Sequence, residues 1–274
     1  MKKTFRTAMF STIAMLIVGV MSLTGVTYAW FTQGTTANVT GMSMSVVAAD
    51  GGLQISTTKD SGYANKLELT NAELTNIEPV SSVDAKKFFA ATPNEENSNE
   101  IKTTETTENV WIQDLYVKNT GYDDIVVDLG TTAFVDKDDN DNRASEDAAK
   151  LAVFIVDDKT GTVTLQYIYS QGTDTYKGVN AASDESYFNT TTGYVGEDTS
   201  KSYIASPEKF KTNTAECTFT IDGGDVDENN VFQETVVHIR VVVWLEGQDQ
   251  DCVNKNAAST FGLDLVFNNA AKEA

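Results

Sequence analysis

The stretch of sequence that decides the fold is Val236-Val237-His238-Ile239-Arg240-Val241-Val242-Val243-Trp244-Leu245. Its odd-numbered positions are all apolar, whereas its even-numbered positions include His238 and Arg240. Successive side chains of a β-strand point to opposite faces, so this period of two predicts a strand with one face in a hydrophobic core and one mixed face. We therefore expect a half-buried strand over residues 236–245.

Other segments of the chain repeat this alternation or form short apolar runs between turn residues. They are Met42, Met44 and Val46; Leu53 and Ile55; residues 111–117; Ile125, Val127 and Leu129; residues 151–156; Val163, Leu165 and Tyr167; Cys217, Phe219 and Ile221; and Phe261, Leu263, Leu265 and Phe267. This many strands in a chain with only 3 prolines predicts an all-β fold. We expect an antiparallel β-sandwich that is jelly-roll-like, with long loops and at most short helices.

Weaker signals predict the connections between these strands. The turn Asn119-Thr120-Gly121 follows residues 111–117 and precedes another strand, which predicts a β-hairpin. Residues 83–91 have the pattern of a short helix. Residues 92–109 and 184–211 lack apolar periodicity, so we expect long surface loops there.

The N-terminal residues have the pattern of a secretory signal peptide. Three basic residues precede an uncharged apolar run, and small residues stand at the −3 and −1 positions of a cleavage site after Ala29. Cleavage between Ala29 and Trp30 divides the chain into a signal peptide (1–29), an N-terminal strand arm (30–48) and a single β domain (49–274). We expect a secreted or cell-surface protein. The alternative is a retained anchor, because the apolar run approaches the ~20 residues of a membrane-spanning helix; the uncleaved signal would then be the chain's contact with the membrane.

Net charge limits the partners of the exported protein. The formal charge is −20 for the whole chain and −23 without residues 1–29, which carry three basic and no acidic residues. Such a charge repels phosphate backbones and anionic lipid surfaces, so nucleic acid is not an expected partner. The apolar content of 41%, with 13 Phe and 10 Tyr, predicts a packed core rather than a disordered acidic tail.

Residue types that carry catalytic chemistry are scarce in this sequence. His238 is the one histidine of the chain, and zinc sites built on histidine usually need two or three such ligands. The sequence contains neither a His-Glu-x-x-His motif nor a Gly-x-Ser-x-Gly elbow. We therefore expect no enzyme and no cofactor, and we expect His238 on the solvent side of its strand.

Acidic loops are the remaining candidates for a binding site. Asp136, Asp138 and Asn140 place oxygen atoms at alternate positions, and Asp147 follows at the twelfth position, which imitates a calcium loop. Calcium loops need Gly at the sixth position and a bidentate Glu at the twelfth, whereas this chain has Asp141 and Asp147. A solvated acidic loop is the favoured interpretation. A second acidic loop has the same two interpretations and contains Asp222, Asp225, Asp227 and Glu228.

The two cysteines allow one disulfide. Cys217 alternates with polar residues in step with Phe219 and Ile221, which predicts a side chain that points into the core, and Cys252 follows a strand. A Cys217–Cys252 disulfide would close a loop of about 35 residues and contribute ~3–4 kcal/mol. The alternative is two free thiols, one of them acting as a small buried hydrophobe.

Three stretches carry a family resemblance. They are Tyr28-Ala29-Trp30-Phe31-Thr32 with the Ser-, Thr- and Val-rich residues 37–48; Leu115-Tyr116-Val117-Lys118-Asn119-Thr120-Gly121; and Val243-Trp244-Leu245-Glu246-Gly247-Gln248-Asp249-Gln250-Asp251-Cys252. Together they resemble the TasA/camelysin group of exported proteins of Gram-positive bacteria. The resemblance implies processing by a dedicated signal peptidase and a role as a biofilm-matrix fibre subunit. Camelysin-like relatives also carry a metallopeptidase label, for which this chain lacks the usual zinc ligands.

The leading hypothesis is a secreted structural protein that forms extracellular matrix fibres with copies of itself or with related subunits. Met42, Met44 and Val46 would form the apolar face of an assembly strand that adds to the next subunit's sheet, as the resemblance also implies. Met44→Asp would then block fibre growth and leave the monomer folded. The same strand could pair within its own chain, in which case Met44→Asp would unfold the monomer. A monomeric cell-surface adhesion or binding module is the alternative function, and a camelysin-type metallopeptidase is the third.

Overall fold

A computed structural model of the chain describes residues 41–49, 52–70, 78–93, 100–136, 145–171, 178–179, 186–189, 204–205, 209–247 and 260–270. The predicted signal peptide, the cleavage site between Ala29 and Trp30, and Cys252 lie outside these residues. Within them, no helix has the length and apolar content that crossing a membrane requires.

The described residues are mostly β-structure. In chain order the strands are β1 (Gly41–Ala48), β2 (Leu53–Ser56), β3 (Lys66–Thr70), β4 (Phe88–Pro93), β5 (Glu100–Thr106), β6 (Val110–Asn119), β7 (Ile125–Asp128), β8 (Ala133–Asp136), β9 (Ala149–Val156), β10 (Val163–Ser170), β11 (Gly178–Val179), β12 (Ser186–Asn189), β13 (Ile204–Ala205), β14 (Phe210–Lys211), β15 (Phe219–Ile221), β16 (Asp225–Val226), β17 (Phe232–Gln233), β18 (Thr235–Leu245) and β19 (Thr260–Asn269). One helical turn, α1 (Ser145–Ala148), precedes β9, and a 3-10 turn spans Thr214–Glu216.

Two six-stranded sheets build the fold. The first has the order β15-β7-β19-β1-β3, with β8 also paired to β19, and the second has the order β14-β10-β9-β18-β6-β2. Smaller sheets join β12, β5 and β4, β11 and β13, and β16 and β17. The predicted all-β, sandwich-like fold is confirmed. Its sheets are mixed rather than purely antiparallel, because β1 runs parallel to β19 and β14 parallel to β10. A jelly-roll connectivity stays a prediction.

The main core is enclosed by these two sheets. From the second sheet, β18 contributes its odd-numbered apolar side chains, which confirms the alternation that the sequence predicts there. From the first sheet, β1 and β19 contribute Met44, Val46, Ala48, Leu263, Leu265 and Phe267. Full burial of one such large side chain stabilises the fold by about 1.5–3 kcal/mol. The alternation therefore fixes which face of each strand lies inside.

A second, smaller core lies on the outer face of the second sheet. There β18 and β9 contribute Val242, Trp244 and Phe154, and β4 contributes Phe88. The rings of Phe88 and Trp244 meet edge to face, with centroids 5.4 Å apart. This outer core explains why residues 151–156 are apolar on both faces, because β9 contributes to both clusters.

The predicted hairpin over residues 111–129 is wrong. β6 pairs with β18 and β2 in the second sheet, whereas β7 pairs with β15 and β19 in the first. The turn between them is a corner that carries the chain from one sheet to the other. Asn119 is fully buried there; its Nδ2 donates to the carbonyl oxygens of Asp123 (2.8 Å) and Asp222 (3.2 Å), and its Oδ1 accepts from the Gly121 amide (2.9 Å).

Two further local predictions are corrected. Residues 83–91, which the structure describes, do not form the expected short helix: residues 83–87 form a bend, and β4 begins at Phe88. The loops expected over residues 92–109 and 184–211 contain β5 in the first case and β12, β13 and β14 in the second. These strands pair through their backbones and carry little apolar alternation, so the sequence pattern could not reveal them.

Candidate functional site

The predicted assembly strand lies inside its own sheet. Every residue of β1 is paired in parallel with β19, and residues 43–47 are also paired antiparallel with β3. Met44 is 1% exposed and Val46 is 0% exposed, so both side chains are part of the main core. The side chain of Met42 lies outside the described part of the structure. The sequence left open whether this strand pairs with the next subunit or within its own chain, and in the structure it pairs within its own chain.

Residues 41–48 are therefore integrated with the β domain and are not a free arm. Met44 lies level with Leu263 on one side and Leu69 on the other, and Val46 lies level with Leu265 and Leu67. Backbone hydrogen bonds continue just beyond β1, where Ala49 N donates to the Phe267 carbonyl oxygen at 2.9 Å. This environment reverses the expectation for Met44→Asp, because the carboxylate would be buried in the monomer itself.

A polar cluster centred on His238 occupies the outer face of the second sheet. His238 Nδ1 lies 2.6 Å from Asp158 Oδ1, and its Nε2 lies 3.5 Å from Asp114 Oδ1. The imidazole ring stacks on Tyr116, with centroids 4.5 Å apart. Lys59 Nζ binds the other oxygen of Asp158 at 2.5 Å. His238 is on the outer face as expected, but its side chain is only 11% exposed because these neighbours cover it.

The carboxylates of this cluster are held in their charged form. Arg240 donates two hydrogen bonds to Asp114, from Nε at 2.8 Å and from Nη2 at 3.0 Å, and this fork lowers the pKa of Asp114. The hydrogen bond from Lys59 is the largest cause that lowers the pKa of Asp158, and the hydrogen bond with His238 is the second. The cluster ties together β6, β18, the β9–β10 turn and the β2–β3 loop. Its chemistry is that of a structural ion-pair network.

An apolar groove adjoins the cluster on the same face. Its volume is about 450 Å³, within the range of small-molecule sites. Phe154, Val242 and Ile112 form its floor, and Lys86 and Arg240 also line it. Ile112 is 54% exposed although it is a large aliphatic side chain in a strand. The β4–β5 ribbon supplies one wall, so the groove lies between that ribbon and the second sheet.

The predicted calcium ligands are only partly described. Asp136 is the last residue of β8, Asp147 lies in α1, and Asp138 and Asn140 are outside the described residues. Among the described residues, no group of three or more His, Cys, Asp or Glu side chains is arranged to hold a metal ion. Both interpretations of this loop, the favoured solvated loop and the alternative calcium site, therefore stay untested.

In the second acidic loop, the side chain of Asp227 accepts hydrogen bonds from the backbone of the loop itself. Asp227 Oδ1 accepts the amide hydrogens of Asn229 and Val231, both at 2.9 Å, which closes the turn between β16 and β17. Asp227 Oδ2 accepts from Gln233 Nε2 at 3.3 Å. This carboxylate therefore has a structural role in a turn.

Cys217 is a buried free thiol in the structure, and its Sγ donates to the Asn213 carbonyl oxygen at 3.5 Å. Burial raises the pKa of Cys217 to about 12, which keeps it protonated and unreactive. The predicted inward orientation of its side chain is confirmed. Its pairing with Cys252 stays a prediction, because Cys252 lies outside the described residues.

Sequence reasoning missed two buried charged residues beside the outer core. Lys150 is 0% exposed, and its Nζ donates to Ser170 Oγ at 2.6 Å and to the Asp147 carbonyl oxygen at 3.1 Å. Glu246 is equally buried, and its Oε2 accepts from Trp244 Nε1 at 3.0 Å and from the Ser82 amide at 3.1 Å. The signal was present in the sequence: each of these charged residues directly adjoins an apolar strand segment.

Comparison with protein-family models, with curated proteins and with solved structures finds no match to this chain. The resemblance to the TasA/camelysin group therefore rests on the three quoted stretches alone.

Proposed function

We propose that this chain is an exported structural protein, a subunit of extracellular matrix fibres of the biofilm type, and that it assembles by exchanging β1 between copies. The observation that supports this proposal is the position of β1. It fills a slot between β19 and β3 and buries Met44 and Val46. A strand of the same sequence from a second copy would meet the same hydrogen-bonding groups and the same apolar neighbours in that slot.

Strand exchange needs little new structure. The first described strand is also the one to be exchanged, and the chain passes from the first sheet to the second directly after it, between Ala48 and Leu53. Opening this short connection would release β1 without breaking the pairing of β6, β9 and β18. The vacated edge of β19 would then bind the β1 of the next copy. Because the same hydrogen bonds and apolar packing form between chains as within one chain, protein concentration would drive the equilibrium.

Charge opposes this assembly at neutral pH. Subunits of formal charge −23 after signal removal repel one another, over a reach of ~10 Å at 0.1 M ionic strength. Protonation of carboxylates or binding of divalent cations lowers the repulsion. Acid or calcium is therefore the expected trigger of fibre growth, with the acidic surface as the responsive element.

A monomeric cell-surface adhesion or binding module is the second candidate. The observation that favours it is that β1 already fills the slot of its own chain, which leaves the subunit self-complemented. The apolar groove beside β4 and β5 would be the binding surface of such a module. A camelysin-type metallopeptidase is the third candidate, and only hydrolysis by metal-loaded protein would support it.

Negative-stain microscopy and size-exclusion chromatography of the exported protein test the proposal. The protein is purified from culture medium and held at neutral pH, at mildly acidic pH and with added Ca²⁺. Filaments that appear on acidification or with Ca²⁺ are expected, and compact monomers in every condition would favour the adhesion module. N-terminal sequencing of the same material should begin at Trp30, whereas an intact Met1 terminus on cell-bound protein would indicate a retained anchor.

A further inference from the structure

The geometry of the outer face points to a ligand site that is independent of fibre assembly. We propose that the groove between the β4–β5 ribbon and the second sheet binds a free amphiphilic carboxylate, with a single alkyl chain on the groove floor. The volume of about 450 Å³ and the apolar lining fit a small organic molecule.

The floor of the groove is built from cross-strand pairs on neighbouring strands. Val242 of β18 lies level with Ile112 of β6, and Arg240 of β18 lies level with Phe154 of β9. Side chains at such positions stand on the same face and touch. Ile112, at 54% exposure, presents an aliphatic surface that nothing else in the described chain covers fully. An alkyl chain in the groove would remove this surface from water.

Two cations flank the same aromatic ring. Lys86 Nζ lies 5.9 Å from the centroid of Phe154, and Arg240 is the cross-strand neighbour of Phe154. Lys86 donates one hydrogen bond, to the Val163 carbonyl oxygen at 3.3 Å, so its ammonium group retains further donors. Arg240 uses Nε and Nη2 on Asp114, which leaves Nη1 available. A carboxylate entering the groove would meet both groups.

The carboxylates in and beside the groove are already paired. Glu105, which lines the groove, lies 3.7 Å from Lys87 Nζ, and both oxygens of Asp114, the partner of the lining residue Arg240, accept from that arginine. Lys86 and Arg240 thus present spare donors beside an apolar floor on a chain whose formal charge is −20. Charge complementarity therefore favours an anionic head group over a neutral or cationic one.

Calorimetric titration of the purified exported protein with decanoate, below its micelle concentration, tests the site. Decanoate should bind with a stoichiometry of one, and decyltrimethylammonium should bind more weakly. Lys86→Gln should weaken decanoate binding about three- to five-fold, since a partly exposed ion pair is lost. Lys66→Gln is the control: Lys66 is an exposed lysine of β3 in the first sheet, outside the lining of the groove, and its Nζ lies 2.7 Å from Glu68. The affinity of this variant for decanoate should match that of the unmodified protein.

A second variant tests the apolar part of the site. Val163 lines the groove, so Val163→Trp should fill it and abolish binding, while circular dichroism checks that the fold persists. Several results would overturn the proposal: no decanoate binding, equal binding of the cationic amphiphile, or equal weakening by Lys86→Gln and Lys66→Gln. Binding to phosphatidylglycerol vesicles without binding to free decanoate would also overturn it, in favour of a membrane surface.

Discussion

Met44→Asp is the substitution that most sharply probes the role of β1. Met44 is 1% exposed and packs into the main core from the middle of a strand with neighbours on both sides. Truncation of a buried methionine to alanine costs about 2–5 kcal/mol. An aspartate adds several kcal/mol more, because its carboxylate would be buried without a partner. A domain of ordinary stability, ~5–15 kcal/mol, would be largely unfolded by this change.

Urea unfolding followed by far-UV circular dichroism measures the effect. Ser43→Asp is the matched control: Ser43 precedes Met44 in β1, is only half-buried and points to the opposite face. Its cost should stay below about 1 kcal/mol, as for most surface substitutions. A Met44→Asp protein with the unfolding midpoint of the unmodified chain, or an equal loss in both variants, would refute the placement of β1 in its own core.

Three further outcomes follow from the charges and the buried thiol. Arg240 lowers the pKa of Asp114, so the ionised carboxylate stabilises the fold above about pH 4, and this stabilisation is lost as the pH falls through the lowered pKa of the folded state. Asp114→Asn should therefore reduce the thermal unfolding midpoint at pH 7 and have little effect at pH 2. Equal reductions of the midpoint at the two pH values would contradict this. Burial raises the pKa of Cys217 to about 12, so a thiol reagent at pH 8 should label Cys217 only after unfolding, as peptide mass spectrometry would report. Light scattering should rise from neutral to mildly acidic pH or with added Ca²⁺, and a flat signal would count against self-association.

Much of the fold was predictable because β-strand alternation is a local property. In β18 the odd-numbered residues are apolar in sequence and lie in the core. Every second residue of β1 (Met44, Val46, Ala48) and of β19 (Leu263, Leu265, Phe267) is likewise apolar and buried. The inward orientation of Cys217 follows from the same rule. Burial on one face selects the register, so the pattern that is visible in the sequence is the one that the core enforces.

Strand partners could not be predicted in the same way. The turn at Asn119 is compatible with a hairpin, but its buried amide binds Asp222, which lies 103 residues away, and the chain crosses to the other sheet. The parallel pairing of β1 with β19 joins the two ends of the described chain, and no local pattern specifies it. The strand β5, Glu100–Thr106, alternates little in hydrophobicity, so the sequence pattern did not reveal it.

The other members of the His238 cluster were equally hidden from sequence reasoning. Asp114, Asp158 and Lys59 come from three separate segments, and only the folded second sheet brings them together. Sequence reasoning placed the histidine on the outer face of its strand, and that much follows from alternation. The degree of its burial depends on the side chains of Tyr116 and Asp158, which tertiary structure alone positions.

Disulfide trapping of β1 against β19 tests the proposed strand exchange most directly. Val47 and Val266 are half-buried parallel neighbours on the outer face of the first sheet, and adjacent strands lie ~4.8 Å apart, within reach of a disulfide. The test protein carries Val47→Cys and Val266→Cys, together with Cys252→Ser so that Cys252 cannot pair with the new thiols. It is assembled under reducing conditions and then oxidised. Non-reducing electrophoresis should show a ladder of covalently linked copies from the fibres and single chains from the monomer fraction. Fibres that yield only single chains, each closed by an internal disulfide, would contradict assembly by strand exchange.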